Sequence, residues 1–290
     1  METVIGSGSI LSAGSAIVGP LFIAHAGASD QAPENTLAAF NLAWKEDADG
    51  IEGDYHLTKD TKIACIHDPT TERTGGQNMR VAETTLAKLR QLDVGSWKGD
   101  RWRGARIPSL QKVLAAVPKG KKVFIEIKCG PEIMPALTHA LAKSKLQPEQ
   151  IVIISFHAGV IAETKRQIPE VKALWLTSFR AGKTTGVVAP SAKKIVATLE
   201  KIGTDGVGCQ FHASLNKRFM RTLRAAHKEV HVWTVDDVAT ANRLVQLGVD
   251  SITSNRAGWL KQQIREKQKG PGTGPIKPMG SDQGRHVQTS

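Results

Sequence analysis

Cysteine is scarce in this 290-residue chain: Cys65, Cys129 and Cys209 lie far apart, odd in number and without a CxxC pair. A disulfide framework or a zinc ribbon is thereby excluded, and three reduced buried thiols are expected. This leaves the compartment open, cytoplasmic or exported. Aromatics make up only 5% of the chain, with a single tyrosine, and no dense basic run accompanies the net charge of +12. A nucleic-acid surface needs a localised basic footprint, so no nucleic-acid partner is expected. From Lys261 to Ser290 there are six Lys or Arg against two Asp or Glu, so the C-terminal stretch alone supplies four of the twelve charges. The rest is spread thinly, as suits a surface that attracts small anions. No apolar run reaches the roughly 18 residues of a membrane-spanning helix, so stable membrane insertion is not expected. Ile10–Ile23 is apolar but broken by Ser, Gly and Pro, and only Glu2 carries charge before it, which makes a poor secretory signal.

What remains is a regular alternation. Short apolar runs at Leu21–His25, Gly50–Asp54, Lys122–Lys128, Ile151–Ser155, Ala173–Thr177, Gly206–Cys209, His231–Val235 and Ser251–Thr253 read as strands. Amphipathic stretches between them read as helices: Thr36–Asp47, Ser109–Val117, Ile133–Lys143, Ala158–Gln167, Ala192–Ile202, Lys217–His227, Val238–Leu247 and Gly258–Gln268. Eight strands alternating with eight helices predict an α/β fold, a closed (β/α)8 TIM barrel, which commonly needs about 250 residues. An open doubly wound sheet is the alternative, but it usually carries a GxGxxG loop after its first strand, and none is present. Residues 1–20, rich in Gly and Ser, are expected to form a flexible leader, and 268–290 a disordered basic tail. The barrel then occupies 21–267. A long gap after the second strand predicts a small insertion, about 69–121, with a short strand at Ile63–His67 before it and a short helix at Thr85–Leu92 within it.

Barrel chemistry sits at the C-terminal strand ends. There the chain places His25, then Glu52 and Asp54, then His67 and Asp68 on the short extra strand, then Glu126 and Lys128. Side chains at i and i+2 share a face, so Glu52 projects with Asp54, and Glu126 with Lys128. Three carboxylates at one mouth repel unless a cation neutralises them, and oxygen-only ligation suits Mg²⁺ or Ca²⁺. Two histidines suit a general acid and a general base. The set reads as metal-assisted cleavage of a phosphate ester. Asn35 or Thr36 reads as the cap of the following helix, with Glu34 favouring its positive end.

These residues resemble the glycerophosphodiester phosphodiesterases. The likeness is carried by His25-Ala26-Gly27, Pro33-Glu34-Asn35-Thr36, Ile51-Glu52-Gly53-Asp54, Thr58-Lys59-Asp60, His67-Asp68 and Arg73-Thr74. It continues through Gly95-Ser96-Trp97, Ile107-Pro108-Ser109-Leu110, Glu126-Ile127-Lys128, Val232-Trp233-Thr234 and Gly248-Val249-Asp250, from about Leu21 to about Leu260. The resemblance implies hydrolysis of a small glycerophosphodiester to glycerol 3-phosphate and an alcohol. It implies Glu52, Asp54 and Glu126 as ligands of a divalent ion and His25 and His67 as the acid/base pair. It further implies Lys128 on the phosphate and Trp233 near the glycerol, where packing of the inner wall is an equal reading for Trp233. The insertion would lid the site. The family usually has Arg directly after the first His; Ala26 stands there instead, which predicts weaker phosphate binding and impaired turnover. A lysophospholipase D or sphingomyelinase D-like lipid phosphodiesterase, and a phosphodiester-binding protein with little turnover, are the alternatives.

Overall fold

The computed structural model describes residues 19–181 and 188–269. The expected leader and tail fall almost wholly outside the described residues. Eight parallel strands run Leu21–Ala24, Gly50–Leu57, Lys122–Ile127, Ile151–Ser155, Lys172–Thr177, Gly206–Gln210, Glu229–Trp233 and Ser251–Ser254. Each pairs with its neighbours in chain order, and the first closes the ring by pairing with both the last and the second, Leu21 opposite Ser251 and Ile23 opposite Gly50. Helices follow the strands at Leu37–Lys45, Leu110–Ala115, Met134–Ala142, Ala158–Gln167, Ala192–Lys201, Lys217–Ala225, Val238–Leu247 and Ala257–Lys269. The fold is the closed parallel barrel that the alternation predicts.

Alternation along the strands sorts residues into two cores. In the third strand, Val123, Ile125 and Ile127 face the helices, while Phe124 joins Ile23, Val152, Ile154, Leu174 and Leu176 inside the barrel. The inward series Phe124, Glu126, Lys128 therefore runs from an apolar middle to a charged mouth. Inside, Gly208 leaves room that a larger residue would fill: a Cβ there would sit 2.5 Å from Leu176 Cδ2.

Caps end the connecting loops and so fix where they can hold side chains. Thr36 Oγ1 accepts from Ala39 N at 3.2 Å, a contact that stabilises such helix starts by about 1 kcal/mol. Ser109, Asn216 and Asp237 cap their helices in the same way. Gly27 sits at φ +85°, where its missing Cβ lets the loop pass against Ala39.

The short strand expected ahead of the insertion is Ile63–Cys65, which pairs antiparallel with the end of the second strand, Tyr55 opposite Cys65. The expected helix there is shorter, Leu86–Leu89, with Leu92 just beyond it. Ala64, Ile66, Val81, Leu89, Leu92, Val94 and Ile107 form a small core beneath the insertion, separate from the barrel's own. Bonds to backbone carbonyls help tie the insertion to the loop after the first strand: Lys98 Nζ to Ser29 O at 2.7 Å, Arg101 Nη2 to Gln31 O at 2.8 Å, and Trp102 Nε1 to Gln31 O at 3.1 Å.

Candidate active site

The second and third strands are in register, Asp54 opposite Glu126 and Glu52 opposite Phe124. Three carboxylates therefore meet at the mouth: Glu52, Asp54 and Glu126 each present an oxygen, all within 4.8 Å of one another. All three side chains are buried. Glu52 Oε2 accepts from Ala26 N at 2.9 Å, while its Oε1 is buried with no partner among the described residues. Burial, reinforced by Asp54 and Glu126, pushes the Glu52 carboxyl well above the usual carboxylate range. Glu126 is raised for the same reasons, burial first and Asp54 next.

Lys128 lies between the carboxylates, 2.7 Å from Glu126 Oε1 and 3.4 Å from Asp54 Oδ1. Burial alone would lower its ammonium; Asp54 and Glu126 outweigh that and raise it, so it stays charged.

Asp54 is held from behind. Asn35 Nδ2 donates to Asp54 Oδ2 at 2.8 Å, and Asn35 Oδ1 accepts from Asp54 N at 2.9 Å. Asn35 takes a left-handed backbone, φ +57°, to make this pair, and Thr36 alone caps the helix. Of the two capping readings, that for Thr36 holds.

The histidines stand on either side. His25 Nδ1 lies 2.9 Å from Asn255 Oδ1, in the loop after the last strand. His67 Nδ1 lies 2.7 Å from Asp68 Oδ1. Arg73 grips Asp68 Oδ2 through Nε at 2.7 Å and Glu34 through Nη1 and Nη2 at 2.9 and 2.7 Å. Glu34 thus pairs with the insertion, a tie that its place beside a helix start conceals. His56 Nε2 donates to the His67 carbonyl at 3.0 Å and supports the same turn; burial lowers its pKa, so the neutral ring is favoured.

Two cavities meet at His25, Asp54 and His67, which line both. The smaller, about 100 Å³, reaches down past Glu52, Glu126 and Lys128 to Leu176 and Trp233. Trp233 packs edge-on against Phe156, ring centres 5.6 Å apart, and its Nε1 has no partner among the described residues. The larger, about 480 Å³, opens toward the insertion and is lined by Ala26, Arg73, Trp97 and Arg256 among others. All eight residues singled out at the mouth, His25, Ala26, Glu52, Asp54, His67, Glu126, Lys128 and Trp233, border one or both. From sequence Asn35 reads only as a cap and Arg73 only as part of a motif, while nothing local marks Asp236 or Asn255.

A barrel mouth with clustered carboxylates, a lysine and two histidines defines a site for phosphate-ester chemistry. The profile of the Glycerophosphoryl diester phosphodiesterase family matches residues 25–258. A glycerophosphodiester phosphodiesterase of Caldanaerobacter subterraneus subsp. tengcongensis is 30% identical over 250 residues, 85% of this chain and 98% of its own. One of Bacillus subtilis is 30% identical over 253 residues, 81% of this chain and 83% of its own. The solved structure of an Oleispira antarctica phosphodiesterase in complex with the product sn-glycerol-3-phosphate matches with a TM-score of 0.76 at 27% identity, covering 85% of this chain and 97% of that one. The chain belongs to the glycerophosphoryl diester phosphodiesterase family and is a phosphoric diester hydrolase. Among the described residues, no helix is long and apolar enough to cross a membrane.

Proposed function

We propose that the chain hydrolyses small glycerophosphodiesters to glycerol 3-phosphate and an alcohol, with a divalent ion held by Glu52, Asp54 and Glu126. The observation that carries this is the unpartnered, buried Glu52 Oε1 inside a cluster of three carboxylates. Without a cation, such a cluster costs the fold stability; its all-oxygen donors suit Mg²⁺ or Ca²⁺. When bound, the ion supplies positive charge that offsets the phosphate oxygens as the bond breaks.

The protein's own groups do the rest. Lys128, charged and within reach of two carboxylates, turns a hydrogen toward a phosphate oxygen. His25 takes the proton from the attacking oxygen, either water directly or the neighbouring glycerol hydroxyl, in which case a water then opens the resulting cyclic phosphate to glycerol 3-phosphate. His67 gives a proton to the leaving alcohol, and Asp68 balances the charge on its ring. Trp233 walls the smaller cavity, where the glycerol lies against its ring. The leaving alcohol occupies the larger cavity, whose charged and polar lining favours a water-soluble diester over a lysolipid.

The test is phosphorus NMR of reactions with glycerophosphocholine and with lysophosphatidylcholine. The proposal predicts glycerol 3-phosphate from the first, with turnover of the second at least about tenfold slower, a difference of about 1.4 kcal/mol. Phosphocholine as product, or the lysolipid as preferred substrate, would refute it.

A further inference from the structure

We infer that Asn255 and Asp236 are positioning residues that hold His25 in its Nδ1–H tautomer and so leave the Nε2 lone pair for the reaction. The inference deepens the proposed role of His25 as base and rests on it.

Orientation of one amide carries the inference. Asp236 follows the seventh barrel strand, and Asn255 follows the eighth. Asp236 Oδ2 accepts from Asn255 Nδ2 at 2.6 Å, and its Oδ1 accepts from Asn255 N at 2.8 Å and Ser254 Oγ at 2.9 Å. A carboxylate in this role accepts only, so the amide must turn its NH₂ toward Asp236 and its oxygen toward His25. That oxygen accepts from Ser29 Oγ at 3.0 Å and lies 2.9 Å from His25 Nδ1. An amide oxygen cannot donate, so the hydrogen of this contact resides on Nδ1. In the neutral ring Nε2 then carries no hydrogen. His25 borders both cavities, and Nε2 is the ring nitrogen left to face them.

The opposite histidine has a different partner. His67 Nδ1 meets a carboxylate, Asp68, which can balance a second proton on the ring; an amide oxygen cannot. The two partners therefore divide the labour, amide with the proton acceptor and carboxylate with the proton donor. The backbone supports the first arrangement too: His25 N donates to Ser254 O at 2.9 Å, so the loop that carries Asn255 is bonded to the residue it orients.

A strut that merely joins two loops would leave the ring tautomer indifferent, and this separates the two roles. Long-range ¹H–¹⁵N correlation spectra of the ¹⁵N-labelled full chain read the tautomer directly, with His25 assigned from the signals lost in His25→Gln. At a pH where the ring is neutral, Nδ1 is expected at a protonated and Nε2 at an unprotonated shift. In Asn255→Ala the pattern should move toward Nε2–H, with kcat lower by about 10–100-fold and KM little changed. Asp236→Asn, which keeps the packing, should shift both readouts in the same direction. A wild-type spectrum with the hydrogen on Nε2 overturns the inference without any variant. A folded Asn255→Ala protein that keeps both tautomer and kcat does so as well. If His25→Gln leaves kcat intact, the reading of His25 as base fails instead, and the spectrum tells the two failures apart.

Discussion

Arg73 binds Glu34 through both terminal nitrogens, at 2.9 and 2.7 Å, and so fastens the insertion to the loop after the first barrel strand. Its remaining Nε holds Asp68 at 2.7 Å, and Asp68 in turn holds His67. One guanidinium thus links the loop after the first strand to a proposed catalytic histidine.

Arg73→Lys should break this link, because an ammonium cannot make the two-pronged contact to Glu34 and still hold Asp68. Steady-state assays are expected to give a kcat lower by about tenfold or more, a share of what general acid catalysis supplies. Unchanged kcat would mean that His67 is oriented without Asp68.

Ala26 borders the larger cavity, and its backbone N–H holds Glu52. A guanidinium at this position would meet the substrate phosphate with charge-assisted bonds, each about 1.5–3 kcal/mol. Ala26→Arg is therefore expected to raise kcat/KM by about 10–100-fold. The positive φ of +51° is no worse for Arg than for Ala, so Tm should stay within a few degrees. No gain in kcat/KM would mean that the phosphate lies elsewhere.

Glu52 has its carboxyl raised by burial and then by Asp54 and Glu126. A group whose folded-state pKa lies above its unfolded one stabilises at low pH and loses that stability as pH rises through the folded value. At neutral pH the metal-free fold therefore bears a cost that Glu52→Gln removes. The variant is expected to melt higher than the parent in chelator, by about 2–4 °C for each kcal/mol relieved, while losing activity. Equal melting at every pH would remove the electrostatic argument.

At the closed end of the barrel, Glu229 is bonded by Lys172 and, at 3.0 Å, by His231 Nε2. Burial opposes its charge, but these two bonds prevail and bring its pKa down to about 2. A depressed carboxyl stabilises above its unfolded value, about 4.5, and loses that contribution as pH falls toward about 2. Glu229→Gln should lower Tm at pH 7 and converge with the parent below about pH 2. A constant difference across that window would contradict the assignment.

The barrel was legible because strand alternation and strand-end chemistry follow from local pattern: Phe124 inward, Ile125 outward, Glu126 inward. The residues that touch the mouth were legible too, since their types are costly to bury without a task. What supports them was not. Asn35 looks like a cap by its place before a helix, yet its side chain binds Asp54 across 19 residues. Asn255 and Asp236 lie 230 and 211 positions from His25, and only closure of the ring brings them together. Glu34 and Arg73 pair across 39 residues because the first and second strands lie side by side.

Diester hydrolysis is proposed to depend on a divalent ion held by Glu52, Asp54 and Glu126. This dependence is tested most directly by stripping the protein with chelator and titrating Mg²⁺ or Ca²⁺ while following release of glycerol 3-phosphate. Negligible release is expected from the stripped protein, with restoration by one of the ions and none in Glu126→Ala at the ion concentration that saturates the parent. Full activity in chelator, or the same metal dependence in Glu126→Ala as in the parent, would contradict the proposed role of these carboxylates.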